Sequence, residues 1–188
     1  MLENQRYGRN KGTVVNHTYI ESGVYRNKFD KITHNKNMSR ILYSKAKEML
    51  EHRSGTLFED MYWIDGITGM VVERALNEQS SSTVVYSDAI NKAIQGNLNL
   101  IAMHTHPHSM PPSIADFNSA FIHGYMISLV LCHDGKVFQY SSHEEIRETL
   151  YDLYIMEFLD KGYSEYEAQI QTLESLKKNY DIDFWEVE

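Results

Sequence analysis

Apolar residues recur at helical or strand spacing along most of the chain after residue 38, and this pattern predicts its elements. Leu42, Ala46, Met49 and Leu50 follow a helical period that ends at residues 53–55. Short apolar runs bounded by turn residues are typical of strands. The predicted strands are residues 59–65, 70–73, 83–86, 98–103, 125–131, 137–140 and, at an edge, 183–187. The predicted helices are residues 39–53, 88–95, one that begins at 113, 146–159 and 164–180.

The first 36 residues are polar and show no sustained period. Residues 18–20 hint at a short strand, and residues 25–32 hint at a helical turn. We interpret this segment as an extension that docks aromatic side chains on the core or on another protein.

The elements that follow predict the fold class α/β (α+β type), with a curved mixed β-sheet flanked by helices. The predicted organisation is an N-terminal extension (1–38), a central domain (39–141) and a C-terminal helical extension (142–188). The C-terminal helices have two interpretations, which are structural cover for the sheet and a surface for assembly into a homo-oligomer. Structural cover is the favoured interpretation.

Composition narrows the class of protein. A chain of 188 residues with 42% hydrophobic residues suits one domain with appendages. The net charge of -8 disfavours nucleic acid and anionic membranes as partners and favours a basic or neutral protein. Residues 1–6 lack the apolar region of a signal peptide and no window approaches a membrane span, so we expect a soluble, cytoplasmic protein. The single cysteine, Cys132, excludes an intramolecular disulfide, and its apolar neighbours predict a buried strand thiol.

Two histidines end the apolar run at 98–103. Residues two apart in a strand point to the same face, so His104 and His106 are expected to bring their imidazoles together. Two neutral imidazoles on one face can share a metal ion. His108 lies beyond a proline on a loop of unknown direction, and we leave it outside the predicted ligand set.

The segment after these histidines supplies a carboxylate and a hydroxyl. All three prolines of the chain fall within residues 107–112, which stiffens the loop and places Ser113 at a helix N-cap. Asp116 follows in the first turn, on the same side of the helix as Ser113. Ser-x-x-Asp alone is more often only a capping box. Together with the histidines, Asp116 gives a ligand set of two imidazole nitrogens and one carboxylate with one position left open. This is the composition of a catalytic zinc site.

The order His-x-His-Pro, loop, Ser-x-x-Asp, with a glutamate upstream, resembles the signature of the JAMM (JAB/MPN, Mov34-like) zinc metalloproteases, in particular the bacterial or phage-type branch. The resemblance implies that His104, His106 and Asp116 hold zinc with a water, that Ser113 helps to stabilise the oxyanion, and that the architecture is the cytidine-deaminase-like JAB/MPN one. It covers residues 39–141. The loop between His106 and Ser113 is one residue shorter than the commonest loop of the family, which affects the substrate side more than the ligands.

The resemblance also points to a general acid/base. Family members with an Asp-x-x-Thr-Gly-type turn, as at 65–69 here, place the catalytic glutamate at the start of the preceding strand. That position is Glu59. Glu73, on the return strand, is the competing candidate, and its apolar neighbours suggest an ordinary solvent-facing carboxylate.

The predicted activity is zinc-dependent hydrolysis of a peptide or isopeptide bond in a protein or peptide substrate, such as a ubiquitin-like conjugate or a protein tail. Three alternatives stay open. Two histidines and a carboxylate also suit a non-haem Fe(II) oxygenase, although the helices here are unlike the double-stranded β fold usual for such sites. Some JAB-fold proteins are inactive scaffolds, but these usually have replaced ligands. The third alternative is a role beside DNA like that of the RadC-type branch, which the acidic charge disfavours.

Overall fold

The structure, a computed structural model, describes residues 11–76 and 84–188. These ranges contain a short 3-10 turn (Lys11–Thr13), seven α-helices and six strands. The helices are α1 (His17–Ile20), α2 (Gly23–Ile32), α3 (Lys36–Arg53), α4 (Asp88–Ile94), α5 (Ile114–His123), α6 (Glu148–Asp160) and α7 (Glu165–Leu176). The strands are β1 (Met61–Asp65), β2 (Val71–Ala75), β3 (Leu100–His106), β4 (Ile127–Cys132), β5 (Val137–Ser142) and β6 (Ile182–Glu186).

All six strands join one mixed sheet in the order β2-β1-β3-β4-β5-β6. β3 and β4 are parallel, and each of the other neighbouring pairs in this sheet is antiparallel. A parallel pair needs a crossover connection, which α5 supplies between β3 and β4. The predicted α+β class with a mixed sheet is therefore confirmed.

Helices cover both faces of the sheet. The side chains of each strand alternate between the two faces, so one strand contacts helices on both sides. Ile101 and Met103 of β3 belong to a hydrophobic cluster that contains Leu42 and Met49 of α3. Ala102 points to the opposite face, where it packs in a cluster with residues of β1 and α4. The residues of β3 are all buried, so the centre of the sheet is enclosed on both faces.

The N-terminal segment is helical where it is described. The predicted strand at 18–20 is wrong, because the Asn16 side chain accepts a hydrogen bond from Tyr19 N and caps α1. The predicted helical turn at 25–32 is part of the longer helix α2, which Ser22 caps. Tyr25 and Phe29 are fully buried in the same cluster as α3 and β3. The expectation that this segment docks aromatic side chains on the core is confirmed.

Elsewhere the predicted elements agree closely with the structure, with one exception. Residues 84–86 are irregular and not a strand, since Tyr86 turns its hydroxyl toward those of Ser119 and Tyr125. Thr83, the first residue of that predicted strand, lies outside the described residues. Cys132 is buried in β4, and burial raises the pKa of its thiol well above the usual value, as expected for a structural cysteine.

The C-terminal segment forms the predicted helix pair and edge strand. β6 pairs antiparallel with β5 at the edge of the sheet. α7 buries Leu173 and Leu176 against the sheet, whereas α6 leaves Leu153 and Met156 largely exposed. Assembly through the C-terminal helices stays a prediction. None of the helices in the described ranges has the length and apolar character that crossing a bilayer requires.

Candidate metal centre

The two histidines lie at the carboxyl end of the central strand. His104 pairs with Met61 of β1 on one side and with Val130 of β4 on the other, so its backbone is fixed from both sides. Both imidazoles point to the face that α5 covers, and their ring centroids are 4.7 Å apart. The side-chain alternation predicted from the sequence is confirmed at this pair.

Asp116 reaches the histidines from the first turn of α5. Ser113 is the N-cap of this helix, and its Oγ accepts a hydrogen bond from Asp116 N at 3.3 Å. In return, Asp116 Oδ2 accepts hydrogen bonds from Ser113 N at 2.6 Å and from Ser113 Oγ at 2.8 Å. The capping box is therefore present, and it also fixes the carboxylate whose other oxygen, Oδ1, turns toward His104.

Among the described residues, the side chains of His104, His106 and Asp116 form a group that could hold a metal ion. His104 Nε2 lies 3.0 Å from His106 Nε2 and 3.1 Å from Asp116 Oδ1, and His106 Nε2 lies 3.5 Å from Asp116 Oδ2. Ligand atoms about 2.0–2.1 Å from a tetrahedral zinc ion are about 3.3 Å from one another. The two separations from His104 Nε2 are somewhat shorter than this value, and the separation of His106 Nε2 from the second carboxylate oxygen is slightly longer, so the group is close to the size that a bound metal ion needs. His108 is not part of the group, in agreement with its omission from the predicted ligands.

Hydrogen bonds select the nitrogens that could bind a metal. His106 Nδ1 lies 2.8 Å from Met110 O, which can only accept, so Nδ1 donates and Nε2 is the nitrogen that could bind a metal once it is deprotonated. His104 is buried, and its Nδ1 has no hydrogen-bond partner among the described residues. The nitrogen of His104 that faces the other two ligands is again Nε2.

Opposite charges dominate the electrostatics of the group. Burial alone would raise the pKa of Asp116, but the neighbouring His104 and His106 hold it well below the usual value. Burial alone would lower the pKa of His106, but its hydrogen bond to Asp116 and the charges of Asp116 and Glu59 raise it to about 9. Asp116 is thus ready to bind a cation, whereas a metal ion must displace a proton from His106.

Glu59 lies beside the group, directly before β1. Thr105 N donates to Asp60 O at 3.0 Å, and this contact continues the register in which Met61 pairs with His104. The pairing of β1 with β3 begins at Met61 and His104, two residues after Glu59, and the Glu59 carboxyl is close enough to His106, His104 and Asp116 for their charges to shift its pKa. Burial raises the pKa of Glu59, the charges of His106 and His104 lower it, and the charge of Asp116 raises it, with a net rise. A carboxylate with a raised pKa next to a metal group is suited to proton transfer.

Glu73 lies farther away. It pairs with Trp63, which pairs with Ala102, so two strand spacings of about 4.8 Å separate Glu73 from β3. Its Oε1 accepts a hydrogen bond from the adjacent Arg74 N. The structure brings Glu59 together with the two histidines and Asp116 and does not bring Glu73 there.

A buried ion pair that sequence reasoning missed anchors the chain next to Glu59. Asp60 is fully buried; Arg53 Nε donates to its Oδ1, and His52 Nδ1 lies 2.8 Å from its Oδ2. Asp60 N also donates to Thr105 Oγ1 at 2.9 Å. An arginine at the end of an amphipathic helix gives no signal of its own in the sequence, because such residues are usually exposed.

Comparison with known proteins adds no identification, since no model of a protein family, no curated protein and no solved structure matches the chain. The fold and the site define an α+β protein with a candidate metal centre of two histidines and one carboxylate. Membership of the JAMM family, which the motif resembles, stays a prediction.

Changing Ser113 to Ala separates its two predicted roles. We expect turnover to fall by about 100-fold or more, because the predicted oxyanion donor is lost. We also expect the free energy of unfolding to fall by about 1 kcal/mol because the N-cap is lost. Zinc content should stay near that of the wild type, since the backbone N–H of residue 113 still holds Asp116. Kinetics, urea unfolding and metal analysis measure the turnover, the free energy of unfolding and the zinc content. Lower stability with unchanged turnover would show that Ser113 acts only as a helix cap.

Proposed function

We propose that this chain is a zinc-dependent metallopeptidase or isopeptidase of the JAMM type, which hydrolyses a peptide or isopeptide bond in a protein substrate. The observation that supports it most is the convergence of His104, His106 and Asp116 into a group that could hold a metal ion, with Glu59 beside them. A site with three protein ligands leaves a fourth position for water or substrate, as catalytic zinc sites do.

A zinc ion bound there would supply a water molecule of lowered pKa and would polarise the carbonyl of the scissile bond. Glu59 accepts a proton from the attacking water, whose oxygen bonds to the carbonyl carbon. Glu59 then gives this proton to the departing nitrogen as the C–N bond breaks. The products are a carboxylic acid and an amine, so the reaction needs no other reactant.

Two residues support these steps without ligating the metal. Ser113 is within one helical turn of Asp116 and is suited to donate to the developing oxyanion once its hydroxyl turns from the carboxylate. Met110 O orients the ring of His106 through Nδ1. Outer contacts of this kind hold the ligands in a fixed geometry and raise the basicity of the imidazole.

The other candidate functions have less support. An Fe(II) oxygenase with the same ligand types is usually built on a double-stranded β fold, whereas this chain has a single mixed sheet with helices on both faces. Inactive scaffolds of the family usually have replaced ligands, whereas His104, His106 and Asp116 are all present here. A DNA-associated role is disfavoured by the net charge of -8.

Substrate capture followed by cleavage tests the proposal. The Glu59→Gln protein loaded with zinc should retain substrate proteins from a lysate, and the zinc-loaded wild type should then cut the captured proteins, with new amino termini detected by mass spectrometry. The chelated wild type is the matched control. Cleavage that does not depend on metal, or oxygen consumption by an iron-loaded wild type, would contradict the proposal.

A further inference from the structure

Two residues between the two histidines and Asp116 are held by a distant helix. We infer that Gln169, in α7 of the C-terminal segment, is a positioning residue for the metal centre. It fixes the backbone of Pro111 and Pro112 and thereby the separation between His106 and Asp116. This inference rests on the proposed metal site and concerns how this chain keeps that site assembled.

The contact itself is buried and uses the full donor capacity of the side chain. Gln169 is 7% exposed, and its Nε2 donates to Pro111 O at 3.1 Å and to Pro112 O at 3.0 Å. A carboxamide nitrogen has two N–H groups, so each carbonyl can receive one of them. Both prolines are buried, and a buried carbonyl without a donor is costly.

The loop needs a donor from outside because of its own composition. Proline has no N–H and its ring fixes φ, so residues 111 and 112 cannot donate backbone hydrogen bonds to the rest of the loop. Gln169 supplies both hydrogen bonds from another part of the chain, 57 residues from Pro112. The stiffness of the loop then transmits the position of α7 to both of its ends.

Each end of the held segment orients one metal ligand. Met110, directly before Pro111, accepts the hydrogen bond of His106 Nδ1. Ser113, directly after Pro112, donates its N–H and its hydroxyl to Asp116. A shift of the two proline carbonyls would therefore move a histidine and a carboxylate relative to each other.

α7 is itself tied to the helix that carries Asp116. Leu173 and Leu176 of α7 pack in one buried cluster with Phe117 of α5. The loop, α5 and α7 therefore pack together as one unit. If Gln169 strengthens metal binding, then metal binding must strengthen the docking of α7 by the same factor, because coupling between two sites is reciprocal.

Metal affinity of matched variants tests the inference without any substrate. Gln169→Met keeps the length of the side chain but removes both donors, and Gln171→Met makes the same change at an exposed position of α7. In competition with a chromophoric chelator, Gln169→Met should bind zinc about 10-fold to 100-fold more weakly than the wild type, as outer-shell losses typically do. Gln171→Met should bind like the wild type. The visible spectrum of bound Co²⁺ should change only in Gln169→Met.

A third variant separates positioning from general loss of stability. Ile32→Ala removes buried contacts of α2 in the cluster on the other face of the sheet, so it should lower stability but leave the Co²⁺ spectrum and the zinc affinity of the folded protein unchanged. If Ile32→Ala and Gln169→Met weaken zinc binding equally, Gln169 has no specific role and the inference is wrong.

Hydrogen exchange gives the reciprocal measurement. Zinc should slow the exchange of the backbone amides of α7 in the wild type and in Gln171→Met, and it should have a smaller effect in Gln169→Met. A wild type that binds no zinc would overturn both the proposed function and this inference. Zinc binding of equal strength in the wild type and in Gln169→Met would overturn the inference alone.

Discussion

Glu59→Gln should keep the bound metal and the affinity for substrate but lose most of the turnover, by about 100-fold to 10,000-fold. The physical reason is that a neutral amide cannot accept a proton from water, while its size and its place beside His106 stay the same. Single-turnover cleavage and metal content, measured on one preparation, give the two numbers needed.

Glu73→Gln is the matched control. The same change on β2, two strands away from the histidines, should be nearly silent in both measurements. If Glu73→Gln were inactive and Glu59→Gln active, the equivalence of this hairpin to that of the JAMM family would be wrong. The proton-transfer role of Glu59 would then fail, although the metal ligands would be unaffected.

Arg53→Met should lower the free energy of unfolding by about 3–5 kcal/mol, the usual cost of leaving one member of a buried ion pair without its partner. Asp60 is fully buried and receives the Arg53 guanidinium, so its carboxylate would lose its main compensation. Urea unfolding of the metal-free protein measures the change. Because Asp60 also fixes the chain next to Glu59, turnover of the folded fraction should fall as well.

Arg40→Met provides the control on the same helix. Arg40 is exposed in α3, and its replacement should change the free energy of unfolding by no more than about 0.5 kcal/mol. The double variant Arg53→Met/Asp60→Asn should be more stable than Arg53→Met alone, because it removes the uncompensated charge. A loss below about 1 kcal/mol in Arg53→Met would contradict this view of the ion pair.

The sequence predicted that the side chains of His104, His106 and Asp116 would converge, and the structure shows this convergence. The metal group depends on two local rules, which are strand alternation at His104 and His106 and helix capping at Ser113. Both rules act over a few residues, so neither needs knowledge of the tertiary structure. The prolines between them restrict the loop enough for the two local predictions to meet in space.

Contacts between distant segments could not be predicted in the same way. Nothing near Gln169 in the sequence shows that its carboxamide meets Pro111 and Pro112, and nothing near Arg53 shows that it is buried against Asp60. These pairings follow from the packing of whole helices. The short strand predicted at 18–20 failed for a related reason, since a single capping contact from Asn16 outweighs a weak strand pattern.

The metal content of the purified protein and of its ligand variants shows directly whether this chain binds zinc at His104, His106 and Asp116. The wild type should hold about one zinc ion per chain. His104→Ala, His106→Ala and Asp116→Ala should each lose the ion and keep the circular dichroism of the wild type, whereas His108→Ala should keep the ion as well. A wild type that purifies and reconstitutes without zinc, or that prefers iron and consumes oxygen, would show that the chain is not a zinc-dependent peptidase.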